Sequence, residues 1–127
     1  MIRLIFLSVL LITLCFIQSV VAQKLVIIEL NQTDRYFVND LRSVLSPGDS
    51  LMFRTTDGDF AIYIEGAAKF LEIEEPDLKV LVNDSNPESE IYIARDFDSI
   101  IDQSYSIYCI TNNSWPEAPP RIIIVAQ

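Results

Sequence analysis

The chain has 127 residues, no histidine, and 18 Asp and Glu against nine Lys and Arg, for a formal net charge of −9. This acidity disfavours binding to nucleic acids and to anionic membrane surfaces, because both carry charge of the same sign. The lack of histidine excludes Ser-His and Cys-His catalytic pairs and histidine-ligated metal centres. We therefore expect a protein that is not an enzyme and that has no cofactor.

The N-terminal segment, residues 1–22, is typical of a secretory signal peptide, with Arg3 ahead of an apolar stretch and a cleavage site near Ala22. An uncleaved anchor is the weaker interpretation, because the apolar stretch is shorter than the roughly 20 residues that a spanning helix needs. We expect export to the periplasm or the extracellular space. The mature chain, residues 23–127, is then not inserted in a membrane.

The mature chain suits one small domain with a single core. Cys15 leaves with the signal peptide, so Cys109 is the one remaining cysteine and no intramolecular disulfide can form. We expect a monomer whose stability comes from packing. For Cys109, the interpretation as a buried thiol is favoured over a reactive or partner-linked thiol.

Short apolar runs separated by turn residues predict an all-β fold of seven to eight strands. The predicted strands are residues 25–30, 51–55, 61–65, 78–82, 90–94, 105–110 and 121–126, with a further short one around 36–38. Turns are predicted at residues 46–49 and, as a hairpin, at 57–59. One short helical segment is expected within residues 67–75, before Pro76.

Two motifs resemble the cupredoxins, the family of plastocyanin and azurin. Residues 47–53, PGDSLMF, are similar to the family's Pro-Gly-Asp strand start, and Tyr105-x-Ile107-x-Cys109 resembles its Tyr-x-Phe-x-Cys strand. The resemblance implies an antiparallel Greek-key β-sandwich. An immunoglobulin-like adhesion or assembly domain predicts the same strand pattern and is an alternative.

The resemblance also tests for the family's copper site. Type 1 copper requires two imidazoles, one thiolate and a weak axial thioether. By the family's spacing, the four ligand positions fall at Ala61, Cys109, Asn112 and Glu117. Only Cys109 has a ligand of the right type, so the resemblance implies a cupredoxin-like fold without type 1 copper. The alternative is an atypical copper or electron-transfer site on Cys109, with Asn112 or Glu117.

The loop at residues 111–120 is stiffened by three prolines and contains the single tryptophan, Trp115. Stiffness lowers the entropy lost on binding. Trp115 and Pro116 are therefore candidate contacts for an unknown protein partner, although Trp115 could instead fold down as a plug over the end of the sandwich.

The acidic run at residues 72–77 is interpreted as a solvated surface, with attraction of a basic partner as the alternative. The sequence thus predicts an exported binding or structural module.

Overall fold

The computed structural model describes residues 23–125, so the predicted signal peptide lies outside the described residues. The described part contains nine strands and one 3-10 turn, Ala67–Lys69 (η1). The strands are β1 Leu25–Asn31, β2 Arg42–Leu45, β3 Ser50–Asp57, β4 Phe60–Ile64, β5 Leu78–Val82, β6 Tyr92–Ile93, β7 Ile101–Ser104, β8 Ser106–Cys109 and β9 Arg121–Ile124. Over residues 23–125, no helix has the length and apolar character to cross a membrane.

The strands form three three-stranded sheets, in the orders β1-β3-β6, β2-β9-β7 and β5-β4-β8. This arrangement confirms the predicted all-β fold and is consistent with a β-sandwich. Four of the six strand pairs in the described part are antiparallel as expected, whereas β1 with β3 and β2 with β9 are parallel pairs that the sequence did not predict. Parallel neighbours require a crossover connection, and β2 lies within the connection from β1 to β3.

The three sheets share a single apolar core. Side chains of a strand point alternately to opposite faces, and one of these faces packs into the core. The inward residues include Ile28 of β1, Phe53 of β3, Ile62 of β4 and Ile122 of β9, all fully or almost fully buried. Tyr105, Ile107 and Cys109, the alternate residues of the Tyr-x-Ile-x-Cys motif, are all buried, which confirms the expected burial of Cys109.

Some elements differ from the sequence prediction. The strand expected at residues 36–38 is reduced to one bridge between Leu30 and Val38, and the preceding Phe37 has a positive φ of 63°. Strands β2 and β7 were not predicted. The turn at residues 57–59 is not a hairpin, because it leads from β3 in one sheet to β4 in another.

The turn at residues 46–49 is hydrogen-bonded to the chain before β1 and to the chain after β6. The carboxylate of Asp49, only 3% exposed, accepts hydrogen bonds from the backbone N–H of Ser46 at 2.8 Å and of Lys24 at 3.1 Å. Gly48, with φ of 86°, donates its N–H to the carbonyl of Ala94 at 2.8 Å. The turn therefore joins the end of β2, the start of β1 and the chain after β6.

We expect Asp49→Ala to lower the free energy of unfolding by about 2 to 4 kcal/mol, because two buried backbone donors lose a charged acceptor. Asp49→Asn retains one acceptor oxygen and should lose less. Urea unfolding followed by circular dichroism measures both. Asp98→Ala, at an exposed position, is the matched control and should stay within about 0.5 kcal/mol of wild type. Equal stability of Asp49→Ala and the control would contradict the assignment.

Candidate functional site

The outer face of the β5-β4-β8 sheet is apolar where a solvent-facing sheet surface is usually polar. The outward side chains are Ala61 and Tyr63 of β4, Lys79 and Leu81 of β5, and Ser106 and Tyr108 of β8, so Lys79 is the one charged group among them. Ala61 is the register partner of both Leu81 and Tyr108, so these three side chains form one row across the sheet. Leu81 is 66% exposed.

The loop after β8 brings Trp115 onto this face. Cys109 and Ser114 exchange backbone hydrogen bonds of 2.9 and 3.2 Å, and Asn113 between them has a positive φ of 51°. This tight return makes Trp115 the neighbour of Tyr108, and their ring centroids lie 4.8 Å apart. Trp115 is nevertheless 66% exposed, so it lies on the sheet surface and does not plug the interior.

Together these residues line an open groove of about 370 Å³, which we call the apolar groove. Its lining includes the side chains of Ala61, Tyr63, Leu81, Tyr108 and Trp115, together with Lys79 and Ser106, the two register partners of Tyr63. The sequence prediction found Trp115 but missed Leu81. The available signal was the alternation in β5, where Leu78, Val80 and Val82 are buried and an apolar Leu81 occupies an outward position.

The carboxylate of Asp77 is hydrogen-bonded to Tyr63 at one end of the apolar groove. The hydroxyl of Tyr63 donates to Asp77 Oδ2 at 3.0 Å, and the backbone N–H of Gly66 donates to Asp77 Oδ1 at 2.8 Å. Both bonds favour the ionised form, so the Gly66 N–H first, and then the Tyr63 hydroxyl, hold the pKa of Asp77 below its usual value. The same carboxylate raises the pKa of Tyr63.

Beyond Asp77 the surface opens into a second depression of about 710 Å³, the acidic cleft. Its carboxylates are Glu72, Glu74, Glu75, Asp77 and Glu90, and Lys79 is the one cation among its lining residues. Exposed Ile91 contributes an apolar wall.

The four positions that correspond to copper ligands are not brought together on one surface. Cys109 is fully buried and its register partner is Phe60, so both point inward, whereas Ala61 points outward beside Tyr108. Asn112 donates its amide to the carbonyl of Gln32 at 3.3 Å. Glu117 forms an exposed salt bridge with Arg35 at 2.7 Å.

These residues do not fit a type 1 copper ion. The thiol of Cys109 is the one ligand of the right type, Ala61 has no ligand atom, and the side chains of Asn112 and Glu117 are bonded elsewhere. Within residues 23–125, no group of three or more His, Cys, Asp or Glu side chains is arranged to hold a metal ion.

The chain matches known proteins in structure and not in sequence. No protein-family model matches the chain, and no curated protein matches it. Among solved structures, one that matches is a mutant of amicyanin in its reduced Cu(I) form at pH 4. The similarity covers 84% of this chain and 87% of that chain, with 9% identity and a TM-score of 0.48. It concerns the fold alone, and at this TM-score nothing about copper or function follows from it.

The Asp77 contacts predict a measurable pH dependence. The pKa of Asp77 is lower in the folded state than its ordinary value of 3.8, so the ionised carboxylate stabilises the fold at pH values above 3.8. This stabilisation is lost as the pH falls through the folded-state pKa of Asp77. We expect Tyr63→Phe to raise the pKa of Asp77 part of the way back, since the Gly66 N–H remains. NMR titration of the Asp77 carboxyl carbon measures this directly. An unchanged pKa in Tyr63→Phe would show that the hydroxyl does not donate to Asp77 in solution.

Proposed function

We propose that this protein is an exported, non-catalytic binding module with a cupredoxin-like fold, and that it docks a protein partner through the apolar groove. The observation that carries the proposal is the exposure of Trp115 and Leu81 on one continuous sheet face, together with Tyr63 and Tyr108. Scattered exposed apolar residues are normal on a protein surface, whereas contiguous ones mark interaction sites.

The groove has the properties of a preformed contact surface. Its floor is three hydrogen-bonded strands whose opposite face is buried, so little order has to be gained on binding. Trp115 is held by its contact with Tyr108 and followed by half-buried Pro116. Large aromatic side chains of this kind are the residues that most often dominate binding energy.

Two alternatives receive less support. An immunoglobulin-like domain consists of antiparallel sheets, whereas β1 with β3 and β2 with β9 are parallel pairs. An atypical copper site would have to be built on Cys109, whose thiol is fully buried and whose register partner is a phenylalanine.

Copper titration separates the binding module from the copper alternative. We expect the purified protein to show no intense thiolate-to-copper absorption and no stoichiometric copper uptake under reducing or oxidising conditions, because Cys109 is fully buried in the apolar core. A Cys109→Ser variant is the matched control and should behave like wild type. Tight uptake with that absorption band, lost in Cys109→Ser, would make electron transfer the leading function.

Site-specific photo-crosslinking tests the docking surface itself. Benzoylphenylalanine in place of Ser106, which lines the groove beside Tyr63, leaves Trp115 and Leu81 unchanged. We expect it to crosslink one partner in the extracellular or periplasmic fraction of the source cells, and excess unlabelled wild-type protein to compete. The competing power of Trp115→Ala should fall about 30-fold or more, the effect of losing an aromatic anchor.

The controls use the same chemistry elsewhere on the surface. The crosslinker in place of Asp98 should capture no partner, and Val44→Ala, which truncates an exposed apolar residue of β2, should compete like wild type. Competition by Trp115→Ala at wild-type strength, or no specific crosslink at Ser106, would reject the apolar groove as the docking surface.

A further inference from the structure

The apolar groove and the acidic cleft are parts of one continuous surface. Lys79 lines both, and Tyr63 of the groove is hydrogen-bonded to Asp77 of the cleft at 3.0 Å. A segment that buries an apolar side chain against Trp115 and Leu81 can therefore continue past Tyr63 into the cleft without leaving the surface.

In the part of the chain that the structure describes, no salt bridge neutralises a carboxylate of the cleft. Among residues 23–125 the salt bridges are Arg35 with Glu117, Arg54 with Glu29, and Arg121 with Asp102, and none of them uses a cleft carboxylate. Five carboxylates thus face one ammonium group, that of Lys79. The field of this surface attracts cations and repels anionic segments.

This charge also argues against a second copy of the chain as the occupant. Two copies that met through their apolar grooves would bring two acidic clefts close together, in a protein that already carries a formal net charge of −9. Like charges at an interface cost free energy and suppress the pairing. The apolar groove is therefore suited to a partner with the opposite charge.

We propose that the partner presents an apolar anchor followed directly by a cluster of Lys or Arg, with the anchor in the apolar groove and the cationic side chains in the acidic cleft. The inference rests on the proposed docking function and specifies the chemistry of the partner. Apolar burial supplies most of the affinity, and the carboxylates select the charge and the direction of the bound segment.

The test uses protein expressed from the full reading frame in a secreting host. It is titrated with short synthetic peptides that contain no tryptophan and have an apolar half and a lysine-rich half. One peptide has the apolar half first, and the other has the lysine-rich half first. Because Trp115 is the single tryptophan, its fluorescence reports binding at the groove itself. We expect a blue shift in emission and an affinity at least tenfold weaker in high salt than in low salt, because exposed charge pairs are screened. Glu74→Gln with Glu75→Gln should weaken binding about fivefold to tenfold, and Leu81→Ser about tenfold.

Matched controls separate the inference from the proposed function. Asp96→Asn with Asp98→Asn removes two charges at exposed positions outside the cleft, and Val44→Ser adds a hydroxyl to a different sheet; both should bind like wild type. Equal binding of a peptide with a glutamate-rich half would keep the groove as a docking surface but overturn the cationic partner. Three other outcomes would also overturn the inference. They are binding of a serine-lysine peptide that lacks the apolar half, the absence of a fluorescence response to either apolar peptide, and groove-to-groove dimerisation measured by sedimentation.

Discussion

The hydrogen bonds that Asp49 accepts from Lys24 and Ser46 determine how the chain enters its sheets. A buried carboxylate is tolerated only when its oxygens are bonded, and here both donors are backbone N–H groups that strand pairing leaves free. The bond to Lys24 places the start of β1 beside the start of β3, with Leu25 opposite Ser50. The parallel register of these two strands depends on that placement.

The apolar groove depends in turn on where β3 ends. Gly58, with φ of 103°, turns the chain from β3 into β4, and Asp59 then binds the loop after β8 through its N–H to the Thr111 hydroxyl and its carbonyl to the Ile110 N–H, both at 2.8 Å. The turn thus holds the loop that carries Trp115 against the sheet. These two bonds join the loop that lines the groove to the start of β4, the central strand of its floor.

In the proposed complex, apolar and charged groups have different roles on this surface. Burial of Trp115 and Leu81 contributes favourable free energy in proportion to area, without preference for one apolar partner over another. The acidic cleft contributes less to affinity, because exposed ion pairs are weak and screened by salt, but it discriminates by sign and accelerates encounter with cationic segments. Because the apolar groove and the acidic cleft are adjacent, one surface of this proposed complex provides both affinity and selectivity.

The amino-acid sequence by itself determined the all-β class, the positions of β3, β4 and β5 to within about a residue or two, and the inward direction of Cys109, because side-chain alternation is a local property of a strand. It did not predict β2 or β7. Their segments, RSVL and IDQS, have four residues each, of which two and three are polar, and they become strands because β9 pairs with both.

The candidate site was predictable only in part. The sequence marked Trp115 as a candidate contact residue, and it gave attraction of a basic partner as the alternative interpretation of an acidic run read as a solvated surface. The row formed by Leu81, Ala61 and Tyr108, and its continuation into the acidic cleft, were decided by the tertiary structure alone. These residues are far apart in the chain, and only strand register makes them neighbours, a long-range property that no local sequence pattern encodes.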